Sequence, residues 1–246
     1  MQTLFSGLAW ESRYRMRTVT RRSVPRAGAR VVRGPSAAAS AAATRSASTF
    51  TGWPRLGNCP DVDTYLMIRR GSIGMEPLTS LNDIADGYVL APDIYHSPLV
   101  RALRELCWTL IICDNDLYSY NKESARHTTY FNYINCIAEE QGIRPQQALP
   151  HAIALRDRMM CLFLALRDQA ISRATSDTRR YLVSLGLWLR ANIDWATSSH
   201  RYYCDAPEDL YTDRPVDDRL EPPDLPSTTW WWQLLAPRQH HRAPTC

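Results

Sequence analysis

Asn115-Asp116-Leu117-Tyr118-Ser119-Tyr120-Asn121-Lys122-Glu123 is the stretch from which the rest of the chain can be read. It closes a segment, about Leu99 to Ser124, that holds no glycine or proline and contains an apolar run from Leu106 to Cys113 broken only by Thr109. That pattern predicts one long helix. Residues four apart share a helix face, so Asn115, Ser119 and Glu123 form a stripe of amide, hydroxyl and carboxylate oxygens. These are hard donors of the kind that Mg2+ takes alongside waters and phosphate oxygens, and the stripe has room for one such ion. A solvated polar helix face is the plainer reading of the same three residues.

On both sides of this helix the text stays helical. Pro60 suits a first turn, Asp61 and Asp63 suit the positive end of a helix, and Val62, Tyr65, Leu66 and Ile68 carry it on to Arg69 before Gly71 and Gly74 interrupt. A second segment, Leu78 to Ala85, ends at Gly87, and Pro92 and Pro98 bracket a short linker. Downstream, Tyr130, Phe131, Ile134 and Ile137 oppose Asn132, Asn135 and Glu139 until Gly142. Two longer helices are expected over about Gln146 to Ser172 and Asp177 to Tyr203. No segment alternates with period two, so the fold class is all-α.

Composition narrows the function classes. The 246 residues, 45% hydrophobic and 22% charged, can bury a sizeable core and are unlike a disordered chain. The longest apolar run is far short of the roughly 20 residues a membrane-spanning helix needs. Seven scattered cysteines, never spaced CxxC, indicate neither a disulfide framework nor a zinc site, and fit a reducing, cytoplasmic setting. The net charge of +4 is uneven: residues 1 to 60 hold ten arginines and one acid, Glu11, while the remainder is net acidic. A nucleic-acid-binding core is thereby disfavoured. Three zones follow: a low-complexity segment at 1–57, a helical domain at 58–204, and a tail at 205–246 with seven prolines and the run Trp230 to Trp232. The first zone is Arg-, Ser- and Ala-rich. It reads as disorder, or as text from a wrong frame or start, in preference to an organellar targeting segment.

The string NDLYSYNKE matches (N/D)DxxSxxxE, the second metal-binding motif of class I terpene synthases, at every defined position. From about Asp61 to Tyr202 the chain resembles the C-terminal two-thirds of a bacterial or fungal member of that family. The resemblance implies the helical class I terpenoid synthase fold, incomplete at its N-terminal side. It implies that Asn115, Ser119 and Glu123 bind Mg2+ and that the substrate is a prenyl diphosphate, by size class farnesyl diphosphate. The reaction would be a lyase reaction: ionisation, carbocation cyclisation and diphosphate release. Arg201-Tyr202, 86 residues beyond Asn115, takes the place of the family's diphosphate-binding pair. Arg69, 46 residues before Asn115, takes the place of its diphosphate sensor, with Ser72 as linker, the carbonyl of Ile73 next, and Gly74 permitting a helix break. Arg70 competes for the sensor role. Apart from any family, Arg69, Lys122 and Arg201 are the cations a polyanion would need.

A carbocation also needs a dry pocket with aromatic faces. Trp108 and Trp195 are the candidates, with ordinary core packing as the competing reading of each. One family feature is missing, because no aspartate-rich DDxxD motif precedes Arg69. Asp217 to Glu221 spells DDxxE, and Asn82 to Asp86 is also acidic, but both lie in the wrong place and read as solvated carboxylates. Three readings stay open: an active terpene cyclase, a truncated or inactive synthase remnant that binds diphosphate or a partner without turnover, and a non-catalytic helical binding module. An incomplete helix ring should leave an apolar flank, to be covered by the N-terminal segment, by the Trp-rich tail, or by a second copy in a homodimer.

Overall fold

The computed structural model describes residues 59–125, 131–199 and 214–235, and every regular element among them is a helix. The first, α1 (Val62–Ser72), starts because Asp61 accepts from the Thr64 amide and hydroxyl, both at 2.8 Å. Asp63 in its first turn and Arg69 and Arg70 in its last complement the helix dipole. It stops at Ile73, and Gly74 turns the chain at φ +79°, a region that only glycine enters without strain. The expected helix over Leu78 to Ala85 is instead two five-residue pieces, α2 (Met75–Thr79) and α3 (Asn82–Asp86). Thr79 and Ser80 turn their hydroxyls back on the carbonyls of Met75 and Glu76 and end the first piece. The linker after Pro92 winds one turn, α4 (Pro92–Tyr95).

The long helix, α5 (Pro98–Ala125), packs on α7 (Pro145–Ile171), α8 (Ser176–Ser198) and α1, and also meets the short α6 (Tyr133–Gln141). Leu103, Leu106, Leu110 and Ile112 are wholly buried along it. Capping by Asn132 and a left-handed Gly142 bound α6, and Thr175 caps α8. The last helix was expected to run through Arg201 and Tyr203, but it ends at Ser198, with Ser199 already extended. Thr197 and Ser198 bond back to the carbonyls of Ile193 and Asp194, and such side chains compete with continued helix.

Residues 214–235 lie against the outer sides of α1, α5 and α7. Ser227 donates its amide and hydroxyl to Asp63 of α1, and the Trp231 indole donates to Glu105 of α5 at 3.1 Å. Gln169 of α7 donates to the Leu234 carbonyl at 3.0 Å. A one-turn α9 (Thr229–Trp232) seats Trp231 and Trp232 in the core, where they are 0% and 6% exposed. Among the described residues, no helix is long and apolar enough to cross a membrane.

Candidate active site

The oxygen stripe forms as its spacing requires. Asn115 and Glu123 are half-buried on α5 and Ser119 is buried between them. The Ser119 hydroxyl has no hydrogen-bond partner. A buried hydroxyl without a partner is costly unless something absent from the protein atoms satisfies it. Among the described residues no three His, Cys, Asp or Glu side chains gather as a metal site, so the oxygen set on this helix carries a single carboxylate.

Arg69 reaches the same place from α1. Its Nη2 lies 3.8 Å from Asp116 Oδ1, and its Nη1 donates to Ser72 Oγ at 3.4 Å. Burial works against its charge, but Asp116, Tyr65 and the carboxylate of Glu123 outweigh it and hold its pKa above the ordinary value. Arg69 therefore lies within electrostatic reach of the oxygen stripe and beside Ser72, with the Ile73–Gly74 break one residue further on. Arg70 turns the other way. Its guanidinium lies 5.2 Å from the Trp231 ring and donates to Ser227 Oγ at 3.4 Å, so of the two arginines only Arg69 faces the stripe.

Lys122 is half-buried beside Glu123 on α5. Arg201 and Tyr202 lie outside the described residues. Trp108 is buried two turns before Asn115 on α5, and its indole N–H is taken by Thr79 Oγ1 at 3.2 Å. Trp195 is 45% exposed near the end of α8, unlike the buried Trp108. The two acidic strings serve structure. Asn82 Oδ1 accepts from the Trp188 indole at 2.9 Å and Asp86 accepts from Ser184 at 2.8 Å, pinning α3 to α8. Asp217 is engaged by Arg219 at 2.6 Å and by Arg158 at 3.8 Å.

Two groups at this site were not singled out from the sequence. Asp116 is 3% exposed and accepts from the Tyr65 hydroxyl at 2.6 Å and the Tyr133 amide at 3.1 Å. Burial pushes its carboxyl up to about 6, against the pull of Arg69, Tyr65 and the Tyr133 amide. Tyr65 stands one helical turn before Arg69, and that spacing was the available signal.

A family model described as terpene synthase family 2, C-terminal metal binding, matches residues 3–161. A match over more than half of the chain shows that it belongs to the terpene synthase family. It is 35% identical over 184 residues to bonnadiene synthase of Allokutzneria albata, covering 70% of this chain and 51% of that one. It is 29% identical over 192 residues to a (+)-T-muurolol synthase of Streptomyces clavuligerus, described as cyclising (2E,6E)-farnesyl diphosphate, covering 72% of this chain and 44% of the relative. A variant of SVS_A2, a protein from ancestral sequence reconstruction, superposes with TM-score 0.68 at 32% identity, covering 80% of this chain and 58% of its own. The 2-methylisoborneol synthase of Streptomyces coelicolor, solved with Mg2+ and geranyl-S-thiolodiphosphate, superposes at 0.62 with 25% identity, covering 70% of this chain and 55% of that one. The chain spans about half the length of the curated relatives it matches.

Proposed function

We propose that the chain acts as a terpene cyclase on farnesyl diphosphate, ionising it with Mg2+ and cyclising the resulting carbocation as diphosphate departs. The observation that carries this is the buried, unpartnered hydroxyl of Ser119 between Asn115 and Glu123, with Arg69 within electrostatic reach. That hydroxyl fits a bound cation, because a third oxygen donor in line with an amide and a carboxylate is what a hard ion takes. Asn115 Oδ1, Ser119 Oγ and the Glu123 carboxylate would hold it. Bound there, Mg2+ supplies positive charge where the leaving diphosphate gains negative charge.

The remaining steps fall to the chain itself. Arg69 offers forked N–H donors to phosphate oxygens, with Lys122, Arg201 and Tyr202 as further donors. Ser72, bonded to Arg69, would link the sensor to the helix break, where the Ile73 carbonyl, next to the turn at Gly74, would act on the substrate. Trp108 and Ile112, both buried on the metal-bearing helix, exclude water from the cation. The finer assignments proposed with this are a helical domain at 58–204 whose core residues 214–235 complete, a cytoplasmic setting for its thiol cysteines, and a homodimer.

The test is incubation of the purified chain with farnesyl diphosphate and Mg2+, geranyl diphosphate in parallel, and Glu123→Ala as control, with hydrocarbon and alcohol products followed by gas chromatography. Product that vanishes in Glu123→Ala is expected. The alternative reading is a chain that binds diphosphate without turnover. It predicts Mg2+-dependent pyrophosphate binding with no product. Neither product nor binding would end both readings.

A further inference from the structure

We propose that Tyr65 and Asp116 are positioning residues for Arg69, holding its guanidinium at the metal stripe while Asp116 takes no hydrogen bond from it, so that the Nη2 donor facing Asp116 can turn to a phosphate. The inference deepens the proposed function and rests on it.

Asp116 lies on α5 beside Asn115, and its two oxygens are treated differently. Oδ2 receives the Tyr65 hydroxyl at 2.6 Å and the Tyr133 amide at 3.1 Å. Oδ1 faces Arg69 Nη2 at 3.8 Å, inside ion-pair range but too long for a hydrogen bond. The Asp116 backbone is fixed as well, since its carbonyl accepts from Asn132 Nδ2 at 2.9 Å. Tyr65, wholly buried, is held at a second point by the Phe131 carbonyl at 3.1 Å. The carboxylate is therefore stationary, and the guanidinium opposite it is oriented without being hydrogen-bonded to it.

Such an arrangement suits a group that must turn towards an arriving anion. When Arg69 swings to a phosphate, Asp116 still has two donors, so no buried carboxylate is left bare. Without the Tyr65 hydroxyl, the carboxylate would draw Arg69 into a full hydrogen bond, which the ligand would then have to break. A hydrogen bond to a charged group is worth enough to weaken binding by roughly tenfold.

The experiment is titration calorimetry of pyrophosphate with saturating Mg2+ on the full chain, its Tyr65→Phe and Arg69→Gln variants and the double variant, with circular dichroism to establish folding. Tyr65→Phe should bind about tenfold more weakly than the parent, and the double variant should match Arg69→Gln within about twofold, because Tyr65 acts only through Arg69. An unchanged affinity in Tyr65→Phe, or an equal loss with and without Arg69, overturns the positioning role while leaving the proposed function standing. A parent chain that binds no pyrophosphate overturns both. Should Tyr65→Phe fail to fold, Asp116→Asn takes its place in the cycle: an effect on affinity only where Arg69 is present supports the role, and the same effect in Arg69→Gln refutes it.

Discussion

Asp114 and Asp116 stand two residues apart on α5, both buried, and they are bound in opposite ways. Asp114 is gripped by Arg156 of α7 through Nε at 2.8 Å and Nη2 at 3.3 Å, a two-point contact with the pair 0% and 2% exposed. Asp157 joins at 3.5 Å from Arg156 and itself receives the Val216 amide at 2.8 Å, which ties residues 214–235 to the same cluster. Asp116 faces its cation at 3.8 Å, and that cation is 18% exposed at a helix break. Two residues on a helix are about 200° apart, so the two carboxylates serve opposite faces. One face is locked to the bundle and sets the rotation of α5; the other meets a cation still able to bind something else. Burial of ion pairs alone does not distinguish structure from site. Closure of their hydrogen bonds does.

That contrast is open to direct attack. Arg156→Ala should be the most damaging change, about 3–5 kcal/mol in urea unfolding, since it strands a buried carboxylate; a loss below about 1 kcal/mol would end the description of Asp114 as a lock. Glu123→Ala should leave the unfolding midpoint nearly unmoved, yet lower Mg2+-dependent product formation by more than the roughly 10–100-fold that losing a mere outer partner of a metal costs. Arg69→Ala should destabilise by only about 1 kcal/mol, because Tyr65 and the Tyr133 amide still satisfy Asp116. A stability loss matching that of Arg156→Ala would make the two clusters equivalent. The smallest effect belongs to Trp195→Ala, within about 0.5 kcal/mol in stability and with product formation unchanged. A large loss of product there would place Trp195 in the pocket wall.

Much of the fold was legible. The apolar periods of α5, α7 and α8 and the acidic start of α1 at Asp61 are local signals, and local rules read them, whereas Asn132, read as a polar position inside its helix, and Thr175, not read at all, are N-caps. The end of α8 was misread because apolar spacing continues past Ser198, whereas the competing side-chain bonds of Thr197 and Ser198 carry no periodic mark. At the site, Asn115, Ser119 and Glu123 were readable because one helix supplies all three. The choice between Arg69 and Arg70 was not, since adjacent residues on a helix point about 100° apart and only the packing of α1 says which way the site lies. Tyr65 was passed over as one more buried aromatic of an apolar stripe.

The sequence by itself determined the all-helical class, the oxygen stripe on α5 and the motif that marks the family, because each depends on spacings within one turn or a few turns of a single helix. The tertiary structure decided that Arg69 is the arginine at the stripe, that Arg70 and the Trp-rich segment pack on the outer side of α1, and that Asp114 is closed while Asp116 is open. Those outcomes depend on contacts between α1, α5, α7 and residues 214–235, separated by up to 164 positions along the chain. No local periodicity encodes which charges such distant segments bring together.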